Sequence, residues 1–419
     1  MLRWLFPIRP TQWLGPLFAA GAVVLLLAVV VVVSGVVDLS AAKPHPQGWA
    51  RFLHYTFDRS TAYHAGPQPP ADLDTPVRIA AGAAYYGQVC ARCHAGPGFG
   101  QNPVVLSMHP RPQYLTTDLP TARFTAPELF RIVKAGVKYS AMPSWPADRR
   151  DDEIWQLVAF LRAMPTMSPA TFQRLALATP QPNAAAIPFG GVPHQTRYAL
   201  RNDAEPPRAS YSYRTPVFGF SGYALGGDAV ATCTRCHGAD GAGGGAFPNL
   251  TLQTRDYTAR TLAAFAAGKR RSGYMQVIAA ELSPSQIAAL TDHYTALPRR
   301  ATEAAAGPVP AIGQQLALVG LPSAGLGPCA ACHGVDRAAA KAYPLLEGQA
   351  RWYLANQMRV FRAGGRGTIA GEKVVDPMVA IARKLNDTQI EAVAAYYAAQ
   401  PPAKVQSFAA REAQEQAQH

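Results

Sequence analysis

Three five-residue segments carry the chemistry of this 419-residue chain: Cys90-Ala-Arg-Cys93-His94, Cys233-Thr-Arg-Cys236-His237 and Cys329-Ala-Ala-Cys332-His333. They use all six cysteines. Cysteines three positions apart lie on one face of a helical turn, so two thiols can reach two vinyl groups of a porphyrin while the next residue, histidine, turns under the iron. This is the attachment signature of a c-type haem. Paired cysteines could also bind zinc or form a thiol redox couple, but neither chemistry requires histidine after the second cysteine in every copy. A disulfide framework belongs to short secreted chains. The sequence therefore predicts three covalently bound haem c groups (iron), with Cys90, Cys93, Cys233, Cys236, Cys329 and Cys332 as the attachment points and His94, His237 and His333 as proximal ligands.

A six-coordinate haem iron needs a second axial ligand, and methionine is the usual one in cytochromes c. An internal repeat selects among the candidates. Met142, Met275 and Met378 each lie 12 residues before an isoleucine (Ile154, Ile287, Ile390) and 23 before a proline (Pro165, Pro298, Pro401). These three are the predicted distal ligands. Met108 is the competitor in the first unit, whereas Met164, Met167 and Met358 sit where methionine ordinarily fills a core. His45, His54, His64, His109, His194, His293 and His419 share no position across the units and are read as surface or core imidazoles.

Elements must position these groups. Between each methionine and its closing proline runs one amphipathic stretch, 152–161, 285–294 and 388–397, with apolar residues every three to four positions. Ser283 before Pro284, and Asn386 three before Gln389, read as N-caps. Shorter stretches at 79–86, 223–228 and 312–317 precede the cysteine motifs, so a short helix before each haem and a longer one after each methionine would clamp the porphyrin. Pro248 and Pro344 each follow their histidine by 11 residues. A loop carbonyl there can accept the proximal imidazole N–H and fix its tautomer. In the first unit the loop Met108-His-Pro-Arg-Pro112 is longer, and either Pro110 or Pro112 could correspond.

From Pro10 to Val37 there is no charged residue for 28 positions, enough to span a bilayer. Arg3 and Arg9 precede that segment and, with Trp4 and Trp13 as interfacial anchors, predict a cytoplasmic N-terminus with the rest on the periplasmic side of a bacterial inner membrane. Cleavage after Ala42 is the alternative. The chain is 49% hydrophobic and 16% charged, which excludes a disordered or coiled-coil protein, and 37 prolines with 35 glycines imply many loops. Its formal net charge of +13 would ordinarily raise nucleic acid as a partner. The cysteine motifs point instead to redox partners with acidic docking surfaces.

The expected organisation is all-α. A cytoplasmic N-terminus 1–12 and a transmembrane anchor 13–37 precede haem units at 43–168, 222–298 and 312–402. Pro/Ala/Gly-rich linkers at 169–221 and 299–311 join them, and a polar tail closes the chain at 403–419. The short second linker predicts a closer pairing of units two and three.

On these motifs the chain resembles the class I cytochrome c family over residues 75–168, 222–298 and 312–402. Met142-Pro-Ser-Trp145 and Asp151-Asp-Glu-Ile-Trp155 are similar to membrane-anchored monohaem cytochromes of proteobacteria. The third unit, with Leu346-Glu-Gly-Gln349 and Phe361-Arg-Ala-Gly-Gly-Arg366, is similar to two-domain diheme cytochromes that feed terminal oxidases. Unit two carries Thr251-Leu-Gln253 in place of Glu-Gly-Gln. The resemblance implies His/Met ligation and one-electron transfer between a respiratory donor and a terminal acceptor such as a haem-copper oxidase. A cytochrome subunit of a membrane-bound dehydrogenase complex is the alternative. A haem peroxidase is a third reading, which would need one five-coordinate iron.

Overall fold

The computed structural model describes residues 13–38, 46–101, 103–106, 108–115, 123–177, 229–280, 282–302, 309–334, 343–366 and 376–403. The N-terminal residues 1–12, most of the first linker and the tail from 404 lie outside the described residues. The described chain is all-α, with isolated bridges only and no strand. Helix α1 (Leu14–Val33) has mean hydropathy 2.9 and buries none of its residues in the protein. A helix apolar on every face and 20 residues long is long enough to cross a membrane.

Helix α2 (Gln47–Tyr63) is two-faced. Phe57 packs edge-on against Phe124 at 6.0 Å and Asp58 pairs with Arg123, fixing one side to unit one. Trp49, Phe52 and Tyr55 are exposed on the other.

The core of unit one is a crossing between α3 (Pro76–Tyr85) and α6 (Asp151–Ala163), with α5 (Ala126–Ala135) packed alongside. Glycine makes that crossing possible. A Cβ on Gly82 would lie 2.0 Å from the Gln156 carbonyl oxygen, so only a bare backbone allows the helices to touch. Ile154, Leu157, Val158 and Phe160 are fully buried around it. Helix α3 runs through a π-turn at Tyr86–Cys90 into the single turn α4 (Ala91–His94), and such turns concentrate at functional sites.

Unit one extends past its expected limit at 168. Ser168 caps α7 (Pro169–Ala176) by accepting from Thr171 N at 3.1 Å. Phe172 of this helix is fully buried against Tyr86, Phe160 and Met164. The first nine residues read as linker therefore belong to the first core, because the Phe172 and Ala176 face is apolar and finds a place to bury.

Unit two is built from α8 (Ala229–His237), α9 (Arg255–Ala266), α10 (Met275–Ala279) and α11 (Pro284–Ala296), around Val230, Leu282, Leu290 and Tyr294. The stretch 223–228 lies outside the described residues. Unit three repeats the crossing of unit one. Helix α12 (Ala311–Leu318) packs on α16 (Asp387–Ala398), and a Cβ on Gly313 would lie 2.2 Å from the Ala392 carbonyl oxygen. Gln156 and Ala392 stand at the same distance, 14 residues, after Met142 and Met378. Between them in the chain, α13 (Ala330–His333), α14 (Arg351–Arg362) and α15 (Pro377–Arg383) complete unit three. Capping boxes at Ser283/Gln286 and Asn386/Gln389 start α11 and α16 where the sequence places them, and the structure adds a third at Thr125/Glu128, which starts α5.

Replacing Gly82 by Ala forces the α3/α6 crossing apart and is expected to destabilise unit one by about 1–3 kcal/mol, as overpacking does. Gly48→Ala, in α2 with nothing within 4 Å of its Cβ, should be neutral to stabilising by up to about 1 kcal/mol. Urea midpoints at constant m-value separate the two variants.

Candidate haem-binding sites

Each motif is one helical turn whose histidine is held from outside by a loop. His237 Nδ1 lies 2.9 Å from the Pro248 carbonyl oxygen and His333 Nδ1 lies 2.8 Å from that of Pro344. Both are the carbonyls that the 11-residue spacing indicates. In unit one neither Pro110 nor Pro112 plays this part. His94 Nδ1 lies 2.8 Å from the Gln113 carbonyl oxygen instead. The longer loop is tied down by Gln101, whose amide donates to the Cys93 carbonyl at 2.7 Å and to the Pro112 carbonyl at 2.8 Å.

A carbonyl only accepts, so Nδ1 carries the proton in all three rings and Nε2 keeps its lone pair. Burial lowers the basicity of all three imidazoles, with the carbonyl contact opposing it, which keeps the rings neutral and fit to ligate iron. No disulfide joins any of the six cysteines. Burial pushes Cys90 and Cys236 up to about 12 and Cys329 up to about 11. Among the described residues no three His, Cys, Asp or Glu side chains gather as a metal site.

Two buried polar atoms test whether haem fits. The Tyr397 hydroxyl and the Trp145 indole Nε1 have no hydrogen-bond partner among the described residues. Tyr397 belongs to the cluster packed against Cys329, and Trp145 packs against the cluster that meets Cys90. Buried polar groups are normally partnered. Haem c attached at these cysteines carries two propionates able to accept from such donors, so the residues present fit the group.

The three repeat methionines are half-buried, and their backbones are held alike. Met142 N donates to Ser140 Oγ at 3.1 Å, Met275 N to Ser272 Oγ at 3.1 Å and Met378 N to Asp376 Oδ1 at 2.9 Å. A short side-chain acceptor two or three residues upstream is a signal that the sequence carries and that the repeat spacing alone does not reveal. Met164 is core, as expected, and Met358 packs between two clusters of unit three.

Unit one also clamps the loop that carries Met275. Glu153 is fully buried and accepts from Ser272 Oγ and from Gly273 N, both at 2.6 Å, while pairing with Arg150 at 2.8 Å. Arg150 also donates to Asp152 at 2.9 Å and to the Arg271 carbonyl at 2.7 Å. Asp152 in turn accepts from Asn356 of unit three at 3.0 Å. Burial alone would push the Asp152 carboxyl up, but the Arg150 guanidinium and the Asn356 amide reverse this and hold it below the usual carboxylate range. Tyr274 stacks on Tyr85 at 4.4 Å and meets Trp145 edge-on at 5.9 Å, so aromatic rings join the Met142 and Met275 loops.

Helical units built on a Cys-x-x-Cys-His turn with a carbonyl-held histidine define a class I, multihaem c-type cytochrome. The comparisons agree with the geometry. Residues 77–161 match the family model for cytochrome c oxidase, cbb3-type, subunit III, and residues 223–294 and 326–398 match that for cytochrome c. The thiosulfate dehydrogenase electron acceptor of Thiomonas intermedia is 33% identical over 190 residues, 43% of this chain and 84% of that protein. Cytochrome c4 of Pseudomonas aeruginosa is 32% identical over 182 residues, 42% of this chain and 88% of that protein. Among solved structures, thiosulfate dehydrogenase from Marichromatium purpuratum is 31% identical with a TM-score of 0.36, covering 44% of this chain and 38% of that one. The chain belongs to the cytochrome c family, whose domains bind haem c covalently, and it is an electron-transfer protein.

Truncating Arg150 to Ala leaves two buried carboxylates without their cation and is expected to cost about 3–5 kcal/mol. Arg255→Ala, which removes an exposed partner of Asp292, should cost less than about 1 kcal/mol. Thermal unfolding of the two variants side by side gives the comparison.

Proposed function

We propose that this chain is a membrane-tethered triheme relay, its three units on the periplasmic side of a bacterial inner membrane and α1 as a single-pass anchor. In this reading Cys90/Cys93, Cys233/Cys236 and Cys329/Cys332 each attach one haem, His94, His237 and His333 ligate the irons proximally, and Met142, Met275 and Met378 ligate them distally. The observation that carries it is the threefold recurrence of a motif histidine whose Nδ1 is held by a loop carbonyl. Haem iron ligated by histidine and methionine supplies one-electron oxidation and reduction.

The chain's own residues do the rest. The loop carbonyls fix the imidazole tautomer and make each ring a stronger ligand. The Ser140, Ser272 and Asp376 acceptors position the methionine loops. Met142, Met275 and Met378 would supply thioether sulfurs as second ligands, and a haem iron so held would have no open site for substrate, which favours electron relay over peroxidase chemistry.

The partners follow from the relatives. Relatives named as electron acceptors of thiosulfate dehydrogenase point to a periplasmic dehydrogenase as donor, and the oxidase-subunit model matched by unit one points to a haem-copper oxidase as acceptor. The net charge of +13 speeds encounter with acidic faces on both. The same relatives favour a second reading, a cytochrome subunit held permanently in a dehydrogenase complex. A catalytic subunit co-purifying in constant stoichiometry from mild detergent selects that reading.

Met378→His should lower the midpoint of one of three redox waves while every haem stays low-spin, and an unchanged titration removes Met378 from the ligand set. Cys332→Ala should reduce the pyridine haemochrome count from three haems per chain to two. Loss of all three would show that the units do not hold their haems independently.

A further inference from the structure

Units two and three are joined by a pair of glutamine amides placed with pseudo-twofold symmetry. Gln253 and Gln349 each follow their own unit's motif histidine by 16 residues, and each reaches into the opposite unit. Gln349 Oε1 accepts from Asn249 N at 2.7 Å, and its Nε2 donates to the Asn249 carbonyl at 3.1 Å. Gln253 Oε1 accepts from Leu345 N at 3.1 Å, and its Nε2 donates to the Leu345 carbonyl at 2.9 Å. Gln349 Oε1 takes a further bond from Ala350 N at 3.1 Å.

The residues gripped in this way have a special position. Asn249 N belongs to the same peptide group as the Pro248 carbonyl that holds His237, and Leu345 N to the same peptide group as the Pro344 carbonyl that holds His333. One planar amide therefore stands between each glutamine and the opposite unit's proximal histidine. Asn249, Leu345 and Gln349 are almost entirely buried and Gln253 is buried to 9% exposure, so water does not substitute for any of these bonds.

We infer that Gln349 sets the reduction potential of the haem ligated by His237, and Gln253 that of the haem ligated by His333, each through the intervening peptide. Both are positioning residues, and the inference rests on the reading that these histidines ligate haem iron. Hydrogen bonds in series polarise one another. When the peptide N–H donates to the glutamine, its carbonyl becomes a better acceptor and draws harder on Nδ1–H. The imidazole then gains anionic character, becomes a more basic ligand and favours the oxidised iron. Removing the glutamine bond weakens this chain and raises the potential of the haem across the interface, leaving the haem of the glutamine's own unit unchanged.

The test is a potentiometric titration of the full-length, haem-loaded protein in detergent. Waves are assigned by which one disappears when Cys233 and Cys236, or Cys329 and Cys332, are replaced by Ala. Gln349→Met keeps the volume and removes both bonds. It should move the His237 wave to higher potential and leave the His333 wave in place, and Gln253→Met should do the converse. In the reduced protein the Nδ1–H proton resonance of the same opposite-unit histidine should move upfield. Gln349→Glu keeps the acceptor and adds charge, and should shift the His237 wave the other way; it also decides the matter if the methionine variant sheds haem. Movement of the glutamine's own-unit wave, equal movement of both waves, or no movement with three haems retained overturns the inference. A wild-type haem count below three is a different failure, visible before any variant is made, and it removes the reading on which this inference rests.

Discussion

One hydrogen bond governs the layout of every unit: the donation from a motif histidine's Nδ1 to a backbone carbonyl further along the chain. A Cys-x-x-Cys-His turn is too short to orient its own imidazole, since α4 and α13 each span four residues. The orienting group must come from a loop returning to the turn, and the loop must be rigid because its drift would reorient the ring. Units two and three return after 11 residues through a proline, whose fixed φ limits the loop's freedom. Unit one returns after 19 residues and needs the Gln101 amide as a brace. The glycine crossings in units one and three serve the same end, because they fix the helix that leads into the cysteine turn against the helix that follows the methionine.

The units are joined in two chemically different ways. Unit one meets the others through a buried charge network beside the Tyr85–Tyr274 stack, with Arg150, Asp152 and Glu153 on the first turn of α6 and its approach. Its targets are the loop before Met275 and the side chain of Asn356. Buried ions carry a large desolvation cost, and the network is tolerable because nearly every oxygen has a donor. It fixes geometry more than it adds stability. Units two and three meet through neutral amides on the proximal loops, where charge would perturb the irons directly. Arg366 and Arg270 add contacts to Tyr257 and Tyr353 at the edge of that interface.

Local features were legible in the sequence, and long-range ones were not. The cysteine motifs, the three long helices after the methionines, two of the capping boxes and the two 11-residue proline contacts all depend on residues within about 20 positions of each other. Spacing therefore reports them directly. The Gln113 carbonyl was missed because proline in the other loops suggested proline here, whereas the acceptor is any backbone carbonyl at the right place. Helix α7 lies in a stretch that reads as linker because it is rich in Pro, Ala and Gly and has no long periodic pattern, whereas Phe172 and Ala176 find burial in the first core. Glu153 is one of three acidic residues in the first turn of α6, with nothing local to set it apart. Its partners lie 119 and 120 positions away, and nothing local announces them.

The departure of unit two from the third unit's Glu-Gly-Gln has a structural account that concerns the chain's connectivity. The glutamine is kept in both units because the interface uses it twice. Its neighbours differ because the segment joining the units runs across them and cannot be symmetric. Arg299 donates to the Leu252 carbonyl, while Thr302 N donates to the carbonyl of Gly348, the corresponding position in unit three, at 2.8 Å. Gly348 has φ +77°, a conformation that lets its carbonyl face the passing strand of chain. Leu252 instead buries its side chain completely in unit two. Asn249 completes the seam by donating to the Arg300 carbonyl at 2.8 Å and to Thr302 Oγ1 at 3.1 Å. Residues 299–302 are therefore part of the interface and not a tether beside it. A short join of this kind holds the two proximal loops in register, which is the condition for each glutamine to reach the peptide opposite.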